Sequence, residues 1–334
     1  MCAKIAIVYN EPVSSRYHDT GEEKAVIGVL DAVNAVKKSI VELKYEVSLV
    51  PLALPEEKAV SIINSLSVDI VFNLFEGFPG FPESEAWLPD LLTSRGIAYT
   101  GCTSESLRLA LNKAKTNGTL KAAGINTPPF QILTETTIDY FRLKFPCIVK
   151  PVAEDASHGL SEDSLVSDLS SLARQVKAMC DKYGGQAIVE EFMEGREFNA
   201  TVMGVADFTV LPVSEITYTL PSDKPKILTF AAKWDQTSIY YKNTPVVCPA
   251  KIDENLRSSI AEVALAAFRV TGCKGYARVD MRLDKNGIVN VMEVNPNPDI
   301  SPNTGAARQA KAAGMTYTQF IEKVISFANN RVLV

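Results

Sequence analysis

Histidine and tryptophan are scarce in this 334-residue chain, with two of each. With only His18 and His158 available, a histidine-rich zinc site is excluded. No apolar run approaches the roughly 20 residues needed to span a bilayer. The opening Met1–Tyr9 segment has too short an apolar core for a signal peptide and reads as a first β-strand. The six cysteines (Cys2, Cys102, Cys147, Cys180, Cys248, Cys273) form no CxxC pair and no metal-like spacing. Most lie in apolar stretches, where a free thiol behaves as a small hydrophobe, so reduced thiols in a cytoplasm are expected. Basic excess is absent too. A net charge of -5 argues against nucleic acid as the main partner, because a phosphate backbone demands a basic footprint. Neither nucleic acid nor a membrane is an expected partner. The loop Asn10-Glu11-Pro12-Val13 lacks GxGxxG, which sets aside a dinucleotide-dependent oxidoreductase. There are no repeats and no low-complexity segment.

What remains is a globular composition, 46% hydrophobic and 22% charged. The length suits two or three domains. Apolar runs predict strands at 4–9, 47–52, 69–74 and 97–100, and helical periodicity covers 21–45 and 57–66. Strands alternating with helices imply a doubly wound parallel sheet, which binds ligands at the carboxyl ends of its strands. Loops 10–12 and 75–80 fall there. From Ser104 the pattern changes. A helix over 107–123 stops at Gly124, a strand covers 145–152, a helix 165–183, and Gly184-Gly185 precedes a strand at 187–192. The remainder is strand-rich: 197–203, 209–216 and a hairpin over 276–294, with helices at 255–271 and 318–329. The expected division is 1–103 (α/β, doubly wound), 104–186 (small central unit) and 187–334 (α+β, mixed or antiparallel sheet).

The hairpin carries the first chemical signal. Asn286-Gly287 predicts a two-residue type I′ turn, whose central residues both need positive φ. Counting outward from that turn puts Asp280 directly opposite Glu293. Asn295 and Arg278, each two residues further along its strand, share the same face. Two facing carboxylates about 5 Å apart repel unless a cation lies between them. Oxygen ligands suit Mg²⁺, which bridges carboxylates to substrate phosphates. The bland alternative is a solvated surface hairpin, but Val279, Met281, Val289, Val291 and Val294 give it an apolar setting.

Two further segments fit a nucleotide site. Ile148-Val149-Lys150-Pro151 ends a buried strand on a lysine, and Glu154-Asp155-Ala156-Ser157-His158-Gly159 offers a small-residue loop for phosphates. That loop is not a Walker A sequence. Val189–Glu197 reads as strand, turn and strand with spare carboxylates; an exposed acidic turn is its bland alternative.

In order and spacing these segments resemble the ATP-grasp superfamily, and within it the D-alanine–D-alanine ligase-like proteins. The stretches 148–161 and 189–197, Pro249-Ala250, Ala277-Arg278-Val279-Asp280 and Glu293-Val294-Asn295 carry the resemblance over nearly the whole chain. Phe72-Asn73-Leu74, Gly96–Gly101 and Asn112-Lys113 extend it to the N-terminal part. The resemblance implies an ATP-grasp fold and an ATP- and Mg²⁺-dependent carboxylate–amine ligase that works through an acyl-phosphate. Lys113, Lys150 and Ser157 would face the ATP phosphates, and Lys233 would reach the γ-phosphate from a flexible stretch. Glu190, Glu191 and Met193 would line the adenine pocket, Glu190 and Glu191 partly through backbone, and Glu197 would hold the ribose. Asp280, Glu293 and Asn295 would bind two Mg²⁺ ions, with Mn²⁺ as a substitute, and Arg278 would stabilise the acyl-phosphate and the tetrahedral intermediate. Small amino-acid substrates are the implied partners, with a homodimer as the family precedent. Residues 221–243 are long and polar enough to form the lid such an intermediate needs.

The acceptor side departs from the family. The loop reads Glu154-Asp155-Ala156-Ser157 in place of Glu-Gly-Ser-Ser, and the lid tyrosine is Trp234. Glu76-Gly77 stands where the family shows His-Gly, and Asp299 where it shows a glycine that donates an oxyanion N–H. Glu11, Glu76, Trp234 and Asp299 are therefore the substrate-side candidates, the acids for a substrate ammonium. A nucleotide-binding regulatory protein of the same fold, without turnover, is the alternative function.

Overall fold

The computed structural model describes residues 3–12, 22–152 and 160–329. Its strands fall into three sheets among these residues, in chain order. The first sheet contains β1 (Lys4–Asn10), β2 (Glu46–Leu52), β3 (Ile70–Leu74) and β4 (Ala98–Tyr99), ordered β2-β1-β3-β4 and parallel throughout. β1 reads Ile-Ala-Ile-Val without alternation because helices cover both faces. On one face Ile5, Ile7 and Phe72 pack with helices Glu22–Glu42 and Tyr317–Asn329; on the other Ala6, Val8 and Val71 pack with helices Glu56–Ser65 and Trp87–Ser94. The C-terminal helix thus closes the core of the N-terminal sheet.

The second sheet contains β5 (Phe130–Leu133), β6 (Cys147–Pro151), β7 (Leu165–Val166) and β8 (Ala187–Glu191), ordered β5-β8-β6-β7 and antiparallel. β8 lies between β5 and β6 in this sheet, pairing with both. The third sheet contains β9 (Glu197–Gly204), β10 (Phe208–Val210), β11 (Ser214–Ile216), β12 (Val246–Val247), β13 (Gly275–Leu283) and β14 (Val289–Pro296). Its path is β12-β11-β9-β13-β14, with β10 also on β9. One face of β9, β13 and β14 buries Phe198, Ala200, Val279, Met281 and Val294 under helix Glu254–Val270. The opposite face of the same strands is polar, by the two-residue period of a strand.

Several local expectations needed correction. The helix expected over 107–123 is two helices, Ser104–Leu111 and Lys113–Ala122. Asn112 leaves the helical region (φ -93, ψ 93), and its side chain accepts from the Lys115 N–H as the cap of the second helix. The helix expected from 165 starts at Leu169, capped by Asp168, because Leu165–Val166 pairs with β6. The strand expected over 209–216 is interrupted between β10 and β11, and helices Trp87–Ser94 and Gly305–Ala312 were not anticipated.

The hairpin turn also differs. Gly287 has φ 80, but Asn286 is not among the positive-φ residues, which rules out type I′. Asp284 donates its N–H to the Ile288 carbonyl (2.9 Å), and the Gly287 N–H reaches the Asp284 carbonyl (3.0 Å). The loop is therefore Lys285-Asn286-Gly287, one residue longer than expected. A register shift between Asp280 and Met281 leaves Met292 as an extra residue in β14. The bulge cancels the longer turn, and Asp280 pairs with Glu293 after all.

Candidate active site

The polar face of the third sheet gathers Glu197 and Asn199 from β9, Arg278, Asp280 and Arg282 from β13, and Glu293 and Asn295 from β14. Pairings Asp280↔Asn199, Asp280↔Glu293 and Arg278↔Asn295 set them side by side. Arg278 grips Asp280 through two parallel hydrogen bonds, Nε to Oδ1 at 2.6 Å and Nη2 to Oδ2 at 2.7 Å. The Asn295 amide adds a third at 3.0 Å. Burial opposes the Arg278 charge, but Asp280, Glu293 and Asp299 hold its pKa above the ordinary value.

Glu293 meets Lys113 at 3.1 Å, and the helix break at Asn112 is what turns that lysine toward it. Burial pushes the Glu293 carboxyl up, yet the cations of Lys113, Lys150 and Lys233 outweigh it and bring the pKa down to about 2. Lys233 sits on the short helix Phe230–Trp234. Burial first, then the neighbouring Arg278, lowers its pKa, while Glu293, Asp280 and Glu197 oppose that. Three lysines from three segments therefore face one carboxylate.

Lys150, on β6, pairs with Glu190 on β8 at 2.6 Å. Glu190 is 1% exposed and also accepts from the Asn117 amide at 3.1 Å, so its carboxylate is not spare. The Glu191 carboxylate accepts the Lys144 N–H at 3.0 Å, and Met193 is buried. Gly195 lies against the Leu283 backbone of β13, where a Cβ would collide with the Leu283 carbonyl. That close approach sets Glu197 beside Arg282 (3.5 Å) and under the Tyr218 hydroxyl, which donates to it at 2.6 Å.

Asn117, Arg282 and Tyr218 were missed in the sequence. Asn117 is four residues after Lys113, on the same helix face, and Arg282 continues the two-residue period of Arg278 and Asp280. Tyr218 left no local signal. Glu11, Glu76 and Asp299 are exposed loop residues. The Asn10 side chain ties the first two loops together, accepting from the Glu76 N–H (2.8 Å) and donating to the Gly77 carbonyl (2.5 Å). Asp299 accepts the Ser301 N–H at 2.8 Å. Ser157 and the rest of the loop 154–159 lie outside the described residues, as does the side chain of Trp234.

Residues 119–326 match the model of the D-Ala D-Ala ligase C-terminus. The chain belongs to the D-alanine–D-alanine ligase family. It is 34% identical over 262 residues to the uncharacterized protein y4sG of Sinorhizobium fredii, covering 78% of this chain and 75% of that one. Identity to D-alanine–D-alanine ligase B of Chromobacterium violaceum is 27% over 274 residues, 81% of this chain and 84% of the other. In fold it is similar to the D-alanine–D-alanine ligase of Bacillus anthracis complexed with ATP, with a TM-score of 0.76 at 22% identity over 100% of this chain and 99% of that one. Membership makes this chain an ATP-grasp protein and an ATP-dependent ligase that forms C–N bonds. No helix among the described residues is long and apolar enough to cross a membrane.

Proposed function

We propose that the chain joins the carboxylate of one small amino-acid-like substrate to the amine of a second, using MgATP and releasing ADP and phosphate. The observation that carries this reading is the convergence of Lys113, Lys150 and Lys233 on Glu293, beside Asp280 bound by Arg278 and Asn295. A carboxylate is a poor electrophile, so it must first take the γ-phosphate and become an acyl-phosphate. Both partners in that transfer are anionic, and it needs cations around the developing charge. Lys113, Lys150 and Lys233 would offset the phosphates, and Arg278 would hold the acyl-phosphate and then the tetrahedral intermediate. Adenine would lie at Glu190, Glu191 and Met193, and the ribose hydroxyls would donate to Glu197, held in place by Tyr218 and Arg282.

Two carboxylates and an amide on one sheet face fit a hard dication. Their negative charge is offset in this structure by Lys113 and Arg278. No group of three or more His, Cys, Asp or Glu side chains forms a complete metal cage among the described residues. Asp280, Glu293 and Asn295 would therefore hold two Mg²⁺ only together with nucleotide and water oxygens. Bound there, the ions would screen the phosphate charge. Glu11, Glu76 and Asp299 are proposed for the substrate ammonium groups, and the reaction is placed in the cytoplasm, where ATP is available.

Phosphate release from MgATP across D- and L-amino acids, singly and in pairs, followed by product mass, tests the reading. The expected result is a requirement for a pair and a product one water lighter than their sum. Asp280→Asn or Glu293→Gln should lower the rate at least about 10²-fold. Tight ATP binding without phosphate release across the panel would overturn the ligase and favour a nucleotide-binding regulator.

A further inference from the structure

The segment between β11 and β12 leaves the third sheet, carries Lys233 at its far end and returns. Its neck is a pair of backbone hydrogen bonds, Thr217 N–H to Pro245 and Thr219 N–H to Asn243, each 2.9 Å. Beyond the neck it makes two sets of anchors. One is to its own sheet, where the Arg282 guanidinium donates to the Lys226 carbonyl at 2.7 Å. The other reaches across to the central unit. The Lys224 ammonium holds both oxygens of Glu162, at 3.0 and 2.8 Å, and the Phe230 N–H donates to the Leu160 carbonyl at 3.1 Å.

The second set has one hub. Glu162 opens a short 3-10 turn whose cap, Ser161, is fixed by reciprocal bonds with Ser164, so its carboxylate has a fixed origin. Tyr240, on the next short helix, is 4% exposed and its hydroxyl makes no hydrogen bond of good geometry among the described residues. It still lies in the field of Glu162: burial, then Glu162 and Asp223, raise its pKa above the ordinary value. Glu162 thus sits between Lys224 and Tyr240, which flank the Lys233 helix on either side in the chain. Phe230, the first residue of that helix, is bonded two residues before Glu162.

We propose that Glu162 is a positioning residue that latches the 217–245 segment onto the central unit and so sets Lys233 over the Glu293–Asp280 face. The inference rests on the proposed role of Lys233, but the latch itself is a statement about contacts. Arg282 fixes the segment to the sheet whether or not the central unit approaches. Glu162 supplies the contact that depends on that approach.

The test uses the full chain with Mg²⁺ and a non-hydrolysable ATP analogue, with amide hydrogen exchange over 224–243 as the readout. In the wild-type chain the analogue should slow exchange there. Glu162→Gln keeps the shape and removes the charge, and exchange should rise at least fivefold with the analogue present. The charge swap Glu162→Lys with Lys224→Glu should restore most of the protection. The second readout uses whichever amino-acid pair supports phosphate release in the wild type. Glu162→Gln should lower kcat about tenfold, leave KM for ATP within twofold, and raise phosphate released per amide formed. Wild-type protection in Glu162→Gln, or a swap no better than the single variant, would overturn the latch. Altered protection with no pair supporting turnover would leave the latch standing and sink the ligase reading instead.

Discussion

The charges proposed for the nucleotide side and those proposed for the acceptor side are treated differently by the fold. Lys150, Glu190, Arg278, Asp280 and Glu293 belong to strands, and the structure answers each charge with another at 2.6–3.1 Å. Glu11, Glu76 and Asp299 lie on loops at the surface, with backbone bonds that shape their turns. Charges on strands are pre-organised, and any change in them is felt by the fold as well as by a ligand. Charges on loops can change with little effect on stability.

The largest expected effect that would sharpen this contrast is at Lys150. Lys150→Met leaves Glu190 buried with only the Asn117 amide, and should cost about 3–5 kcal/mol. Adding Glu190→Gln should recover most of that loss, because it removes the stranded charge. Asp299→Asn and Glu76→Gln should stay within about 0.5 kcal/mol of the wild type. Urea unfolding of the four variants checks the prediction. A Lys150→Met chain as stable as Asp299→Asn would erase the distinction between the two sides.

Lys233 is the smaller and sharper case, because its burial and its proposed role pull in opposite directions. Its pKa is lowered, by burial first and then by Arg278, so the folded state disfavours the charged form. Below the ordinary lysine value of 10.5 that charge costs stability, and the cost fades as pH rises toward it. Lys233→Met should therefore unfold at a higher temperature than the wild type at pH 7, and the gain should shrink by pH 10. The same variant should lose turnover roughly 10²-fold. A variant that loses both stability and activity at pH 7 would mean that the ammonium is held by attraction and not merely tolerated.

How much of this was legible depended on whether the signal was local. The strands of the first sheet are unbroken apolar runs, and the Asp280–Glu293 face follows from a strand period of two. Gly124 and Gly184-Gly185 mark ends that the backbone confirms with positive φ. The break at Asn112 was hidden because apolar spacing continues through it, although an asparagine three residues before Lys115 is itself a capping signal. The placement of β8 inside the central sheet depends on which strand it pairs with, and no local pattern encodes that. Likewise Lys113 reaches Glu293, and Lys224 reaches Glu162, across long stretches of chain.

The hairpin separates a correct pairing from a correct reason, and the smallest predicted effect tests it. A two-residue turn would need left-handed backbone at both Asn286 and Gly287, so alanine at either would be strained. In the three-residue turn only Gly287 is left-handed, with nothing within 4 Å of where its Cβ would be. Gly287→Ala should then cost about 1 kcal/mol from backbone strain alone. Asn286→Ala should cost less, about 0.5 kcal/mol, since it loses only a long side-chain contact to Asp284. Equal costs would restore the two-residue turn and remove the need for the Met292 bulge. Neither change should alter turnover, because the bulge lies between the turn and the Asp280–Glu293 pair and fixes their register independently. Deleting Met292 should be as quiet for the site: the turn would persist, and Glu293, now directly after Val291, would still pair with Asp280 in an unbulged ladder.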